Sequence, residues 1–169
     1  MRIIALLSLV LSVTLTSCST TTVYIVRHAE KVDETDSTDL SLPGKQRALA
    51  LADTLASRGI DSIFTTPYRR TRQTAEPLAR RLAIRSLDYA PKPTGAVVDR
   101  VDRIRGKTVL VVGHSNTVLE IARGLGATPS LRTIESAEYD NLLTLRIKRG
   151  LFGKRVGITE KTYGAVTMP

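Results

Sequence analysis

Cysteine occurs once in these 169 residues, histidine twice and tryptophan not at all. One cysteine excludes an internal disulfide, so stability has to come from core packing. One cysteine and two histidines also fall short of a zinc site, which wants about three or four protein ligands; no metal is expected. There is no glycine-rich phosphate loop ending in Lys-Ser/Thr and no Gly-x-Ser-x-Gly elbow, so neither a P-loop nucleotide site nor an elbow serine hydrolase is expected. Aromatics make up 4% of the chain. No basic stripe is interleaved with them, which argues against a nucleic-acid partner. Acid is also scarce: the formal net charge is +9. A basic balance favours anionic partners such as phosphorylated small molecules or lipid headgroups. No internal repeat or interdomain linker is visible, and the length suits one domain.

The first residues read as a targeting segment. Arg2 is a short positive start, and residues 3–15 are a nearly unbroken apolar stretch, too short for a comfortable membrane span. The stretch closes on Leu15-Thr16-Ser17-Cys18. This resembles the lipobox of a bacterial lipoprotein, with residues 1–17 as signal peptide and Cys18 as the lipidated residue. Residues 18–22 then read as lipidated cysteine and polar tether, and 23–169 as the folded domain. The expectation is a protein of the bacterial cell envelope, held to a membrane through lipid on Cys18 and facing the periplasm.

Beyond the tether, strand-like and helix-like segments alternate. Residues 23–27 form an apolar strand, and residues 31–39 a polar surface loop. A helix follows Pro43-Gly44, with Ala48, Leu51, Ala52 and Leu55 on one face and Gly59 as C-cap. A short strand holds Ile63-Phe64. The next helix carries Ala75, Leu78 and Leu82, and Pro77 is expected to bend or delay it. Residues 84–87 are a weaker strand, and Val97, Val101 and Ile104 mark a helix. Residues 107–112 are the most hydrophobic run after the leader, the pattern of a central parallel strand buried on both faces. A helix over 116–124 and two alternating strands over 142–148 and 155–161 complete the chain. The fold expected is α/β: three-layer, with a mostly parallel central sheet, helices on both faces and a C-terminal antiparallel hairpin.

Each histidine ends an apolar strand, His28 the first and His114 the central one. In open α/β sheets ligands bind beyond the carboxyl ends of the strands. Three segments would meet there: Arg27-His28-Ala29-Glu30, Thr66-Pro67-Tyr68-Arg69-Arg70 and Gly113-His114-Ser115-Asn116. Two imidazoles, guanidiniums able to grip phosphate bidentately, and a helix N-terminus describe a phosphate site.

These segments, together with Leu40-Ser41-x-x-Gly44, Gln73-Thr74-Ala75 and Glu138-Tyr139-Asp140-Asn141, resemble the histidine phosphatase superfamily, with its phosphoglycerate-mutase-like fold, in order from about residue 22 to the end. The resemblance implies that His28 is the nucleophile and becomes a phosphohistidine. It implies that Arg27, Arg70 and His114 hold the phosphoryl oxygens, and that no cofactor takes part. The substrate would be a small phosphorylated molecule and the reaction phosphomonoester hydrolysis. A general acid is also implied: Asp88, at the end of a predicted strand, is the first choice and Glu30 the second. A mutase-like phosphotransferase is the alternative within enzymes, though the segment between Arg70 and His114 is short for the insertion true mutases carry there. A non-catalytic anion-binding lipoprotein is the alternative outside them.

Overall fold

A computed structural model describes residues 19–151 and 153–167. The signal segment and Cys18 lie outside the described residues. The elements in order are β1 (Ser19–Arg27), α1 (Leu42–Leu55), β2 (Ser62–Thr65), α2 (Arg69–Leu82), β3 (Ser86–Asp88), α3 (Gly95–Asp102), β4 (Thr108–Gly113), α4 (Ser115–Gly124), β5 (Asn141–Gly150) and β6 (Gly153–Thr162). They build one six-stranded sheet in the order β3-β2-β4-β1-β5-β6. The first four of these are mutually parallel. β5 runs antiparallel to β1, and β6 antiparallel to β5. This is the three-layer α/β architecture expected, with its C-terminal hairpin.

The two faces follow from side-chain alternation along the strands. On β4, Val109 and Val111 pack with α3 and α4 through Val97, Val101, Val118 and Ile121. Leu110 and Val112 face the opposite layer, against Leu51 and Leu55 of α1 and Ala75 and Leu78 of α2. All four β4 side chains have no solvent exposure. Burying one such side chain contributes about 1.5–3 kcal/mol, so β4 is where a polar substitution is least tolerated. The hairpin has one solvated face at β5, where Leu143, Leu145 and Ile147 are buried and Arg146 and Lys148 exposed. No helix among the described residues is long and apolar enough to cross a membrane.

Two local expectations are corrected. Residues 19–22 are not a tether but the first part of β1, paired with β5 from Ser19↔Arg149 to Thr22↔Arg146. Hydropathy is low here, but β-branched threonine suits a strand. Thr21 is fully buried, and its hydroxyl donates to the Ile104 carbonyl and accepts from the Gly106 N–H. Pro77 does not delay α2, which runs unbroken from Arg69 to Leu82. Proline removes one backbone donor, and the apolar face packed on β2 and β4 outweighs that loss.

α1 begins a turn earlier than its apolar pattern, at Leu42, with Ser41 as N-cap accepting from the Gly44 N–H at 3.2 Å. Gly44 is required by contact: a Cβ there would stand 2.0 Å from the Glu30 carbonyl oxygen. That oxygen accepts the Ser41 N–H at 3.0 Å. This close approach fastens the helix start to the loop after β1, where His28 sits.

Candidate active site

β1, β2 and β4 end side by side, and the residues after them converge. The His28 N–H donates to the Gly113 carbonyl at 2.9 Å, which ties the ends of β1 and β4 together. The His28 and His114 ring centroids are then 5.3 Å apart, edge to face. A crevice of about 590 Å³ opens here, lined by Arg27, His28, Tyr68, Arg70 and His114, with Lys31, Glu34, Pro91, Lys92 and Asn116 among the others. Both segments flanking the predicted strands, 31–39 and 88–96, thus reach its rim.

His28 is 4% exposed. Its Nδ1 lies 2.8 Å from the Ala29 carbonyl oxygen. A carbonyl only accepts, so Nδ1 carries the proton and Nε2 keeps its lone pair. Burial pushes the imidazole pKa down to about 3, and the Arg27, His114 and Arg70 charges push the same way. The ring is therefore neutral near pH 7, the state a nitrogen nucleophile needs.

Arg27 is 5% exposed. One terminal nitrogen donates to the carbonyls of Glu135, Ser136 and Glu138 at 2.8, 3.0 and 2.8 Å. Its guanidinium carbon stands 4.0 Å over the Tyr139 ring. Arg70, in the first turn of α2, donates to the Asp36 carbonyl at 3.2 Å, lies 3.6 Å from the Asp36 carboxylate and stacks 4.4 Å over Tyr68. The Nε atoms of both arginines are buried without a hydrogen-bond partner among the described residues. Unpartnered buried donors are costly.

His114 is the N-cap residue of α4, its N–H donating to the Thr117 hydroxyl at 3.0 Å. Its Nε2 lies 3.1 Å from the Thr66 hydroxyl, which in turn contacts the Thr71 hydroxyl at 2.8 Å. Burial lowers its pKa to about 4, helped by the Arg70 and Arg27 charges.

The structure brings together four of the predicted residues, Arg27, His28, Arg70 and His114, but places neither predicted acid with them. Asp88 pairs with Thr65 of β2 at the sheet edge. Its carboxylate meets Arg72 instead. Together they line a separate, larger groove of about 740 Å³ beside α2, with Arg80 and Arg85 but neither histidine. The chain turns inward only at Tyr89, whose hydroxyl donates to the Val112 carbonyl at 3.1 Å. Glu30 is turned away from the crevice and accepts from Arg47 at 2.7–2.9 Å. Arg47 also donates to the Tyr163 and Ala165 carbonyls, so this pair clamps α1 to the C-terminal segment.

Sequence reasoning missed Glu34, among the described residues the single carboxylate on the crevice lining, which pairs with Lys31. It placed Thr66 and Tyr68 in a converging segment but gave no role to them or to Thr71: Thr66, backed by Thr71, contacts His114, and Tyr68 stacks against Arg70. Glu34 lies in a polar loop without periodicity, so no pattern marked it.

Residues 23–92 match the model of the histidine phosphatase superfamily (branch 1). That span contains Arg27, His28 and Arg70. Over that stretch the chain is similar to the histidine phosphatase superfamily. The fold is shared over most of the chain. Mycobacterial glucosyl-3-phosphoglycerate phosphatase superposes with a TM-score of 0.65 at 13% identity, covering 86% of this chain and 100% of that one. The putative phosphohistidine phosphatase SixA from Agrobacterium tumefaciens gives 0.56 at 24% identity, covering 82% and 97%. YhfR of Bacillus stearothermophilus gives 0.59 at 19%, covering 82% and 96%. At such identities the likeness establishes the phosphoglycerate-mutase-like fold. Comparison with curated proteins gives no match.

Proposed function

We propose that this protein is a histidine phosphatase that hydrolyses small phosphomonoesters through a phosphohistidine on His28. The observation that carries the reading is the neutral, buried His28, its Nδ1 held by Ala29, lining a crevice with Arg27, Arg70 and His114. Nε2 attacks phosphorus as the bond to the leaving oxygen breaks; the departing alkoxide takes a proton from Glu34. Water then attacks the phosphohistidine while the Glu34 carboxylate takes its proton, the P–N bond breaks, and phosphate leaves as Nε2 regains its lone pair. Arg27 and Arg70 stabilise charge on the equatorial oxygens throughout. The excess of Lys31, Arg27, Arg70 and Lys92 over Glu34 on the lining suits an anionic substrate. The same proposal takes Cys18 as lipid-bearing, which places the enzyme on a membrane of the bacterial envelope, facing the periplasm.

The test is hydrolysis of para-nitrophenyl phosphate by the full chain, with and without vanadate, followed by rapid quenching into alkali to trap the phosphoenzyme. An acid-labile, alkali-stable phosphate on His28 is expected. Full turnover by His28→Ala would sink the proposal.

A further inference from the structure

The end of the sheet opposite the crevice has features that catalysis does not use. β1 begins at Ser19, paired with Arg149, and Thr20 is paired with Lys148. The β5–β6 turn lies beside them, with Gly150 paired to Gly153 and Leu151 in the turn 73% exposed. A concavity of about 260 Å³ is lined by Ser19, Thr20, Lys148, Arg149, Leu151 and Arg155. Lys148 and Arg155 are cross-strand partners, both exposed. Neither has a carboxylate within ion-pair distance among the described residues, whereas Arg149 and Lys154 share Asp102. Two like charges facing each other across a hairpin are mildly destabilising, and the fold keeps them beside an exposed leucine.

We propose that this end of the sheet docks on an anionic phospholipid surface, with Leu151 entering the interface and Lys148 and Arg155 meeting lipid phosphates. The proposal rests on the reading of Cys18 as the lipid-bearing residue. Cys18 is one peptide bond from Ser19, and Ser19 is already in the sheet, so a lipid there has no tether to hold the domain away from the bilayer. Whatever surrounds Ser19 then faces lipid. An apolar side chain flanked by cations is the composition that binds an anionic interface. One exposed leucine is too small an apolar surface for a stable dimer of this chain.

The consequence is orientation. β1 runs eight steps from Ser19 to Arg27, a span of about 27 Å at the usual strand rise. The crevice would open away from the membrane, towards soluble phosphate esters and not the headgroups beneath the protein.

The chain has no tryptophan, so Leu151→Trp in the full-length protein reports one site. Leu42→Trp, at the start of α1 and 71% exposed in the native chain, is the control at the crevice end. On phosphatidylglycerol-containing vesicles with brominated acyl chains, the Leu151→Trp emission should shift blue and be quenched, while Leu42→Trp stays unchanged. Adding Lys148→Ala and Arg155→Ala should lower the docked-to-undocked ratio roughly 25-fold, about fivefold per cation. Equal emission from both reporters on anionic vesicles, or equal quenching on neutral ones, overturns the proposal. So does a doubled molar mass with Leu151→Trp shielded in the absence of lipid. Mass spectrometry of the N-terminal peptide separately decides lipidation. A lipidated chain with an unquenched reporter loses docking and keeps the anchor. An unlipidated chain with a quenched reporter loses the anchor and keeps docking.

Discussion

His28 donates its Nδ1 proton to the carbonyl oxygen of Ala29, its own neighbour, at 2.8 Å. The bond is local, but its effect is chemical: it selects the tautomer that leaves the Nε2 lone pair free. His28→Ala and His28→Asn should both abolish phosphate release. Asparagine keeps a polar group in the pocket, so loss of turnover with retained folding by circular dichroism separates nucleophile from support.

Acid should destabilise the fold through the two histidines. Unfolded, each takes up a proton near pH 6.5; folded, they resist until about pH 3 for His28 and about pH 4 for His114. Across that window the unfolded state binds more protons, so stability rises with pH and is lost as pH falls. Each histidine adds a slope of at most about 1.4 kcal/mol per pH unit. Urea midpoints between pH 7 and pH 4.5 should fall less steeply for His28→Asn than for the native chain. Parallel slopes would contradict the burial argument.

Arg27 and Arg70 should differ when truncated. Arg70→Ala removes a donor facing the crevice and should cost about 2.7–4 kcal/mol of transition-state stabilisation, read as kcat/KM, with little change in Tm. Arg27→Ala should lose both activity and stability, because three carbonyls between Glu135 and Glu138 depend on it.

Leaving-group dependence tests the proton donor. Glu34→Gln should slow hydrolysis of an alkyl phosphate by about 10²-fold or more, the usual contribution of a general acid, while para-nitrophenyl phosphate, whose phenolate leaves unaided, changes little. Asp88→Asn should leave both rates unchanged, since its carboxylate faces Arg72. An equal loss on both substrates for Glu34→Gln would argue for binding and not proton transfer.

Glu30 is expected to matter for folding. Arg47 has a 3% exposed side chain and Glu30 a 19% exposed one. Removing one partner of a buried pair leaves an uncompensated charge and costs about 3–5 kcal/mol. Glu30→Ala should lower the urea midpoint accordingly, with the activity of the remaining folded fraction near native.

Much of this was legible in the chain. Apolar periodicity marked the strands and helices, and the runs ending in His28 and His114 marked the site, because both are local patterns in one dimension. Glycine at 44 was legible as a motif position; the Glu30 carbonyl it accommodates was not. The acids were misjudged because strand alternation and edge position send Asp88 towards Arg72. Glu30 was misjudged because its partner, Arg47, lies seventeen positions away on another element.

What the sequence determined by itself was the order of elements, the burial of both faces of β4 and the convergence of Arg27, His28, Arg70 and His114 on one crevice, since each depends on residue type and short spacing. What only the tertiary structure decided was which carboxylate faces the crevice and what surrounds the first residue of β1. Both depend on which distant segments come to lie side by side, and a side chain's charge in a linear sequence does not say whether it will meet a guanidinium, a histidine or water.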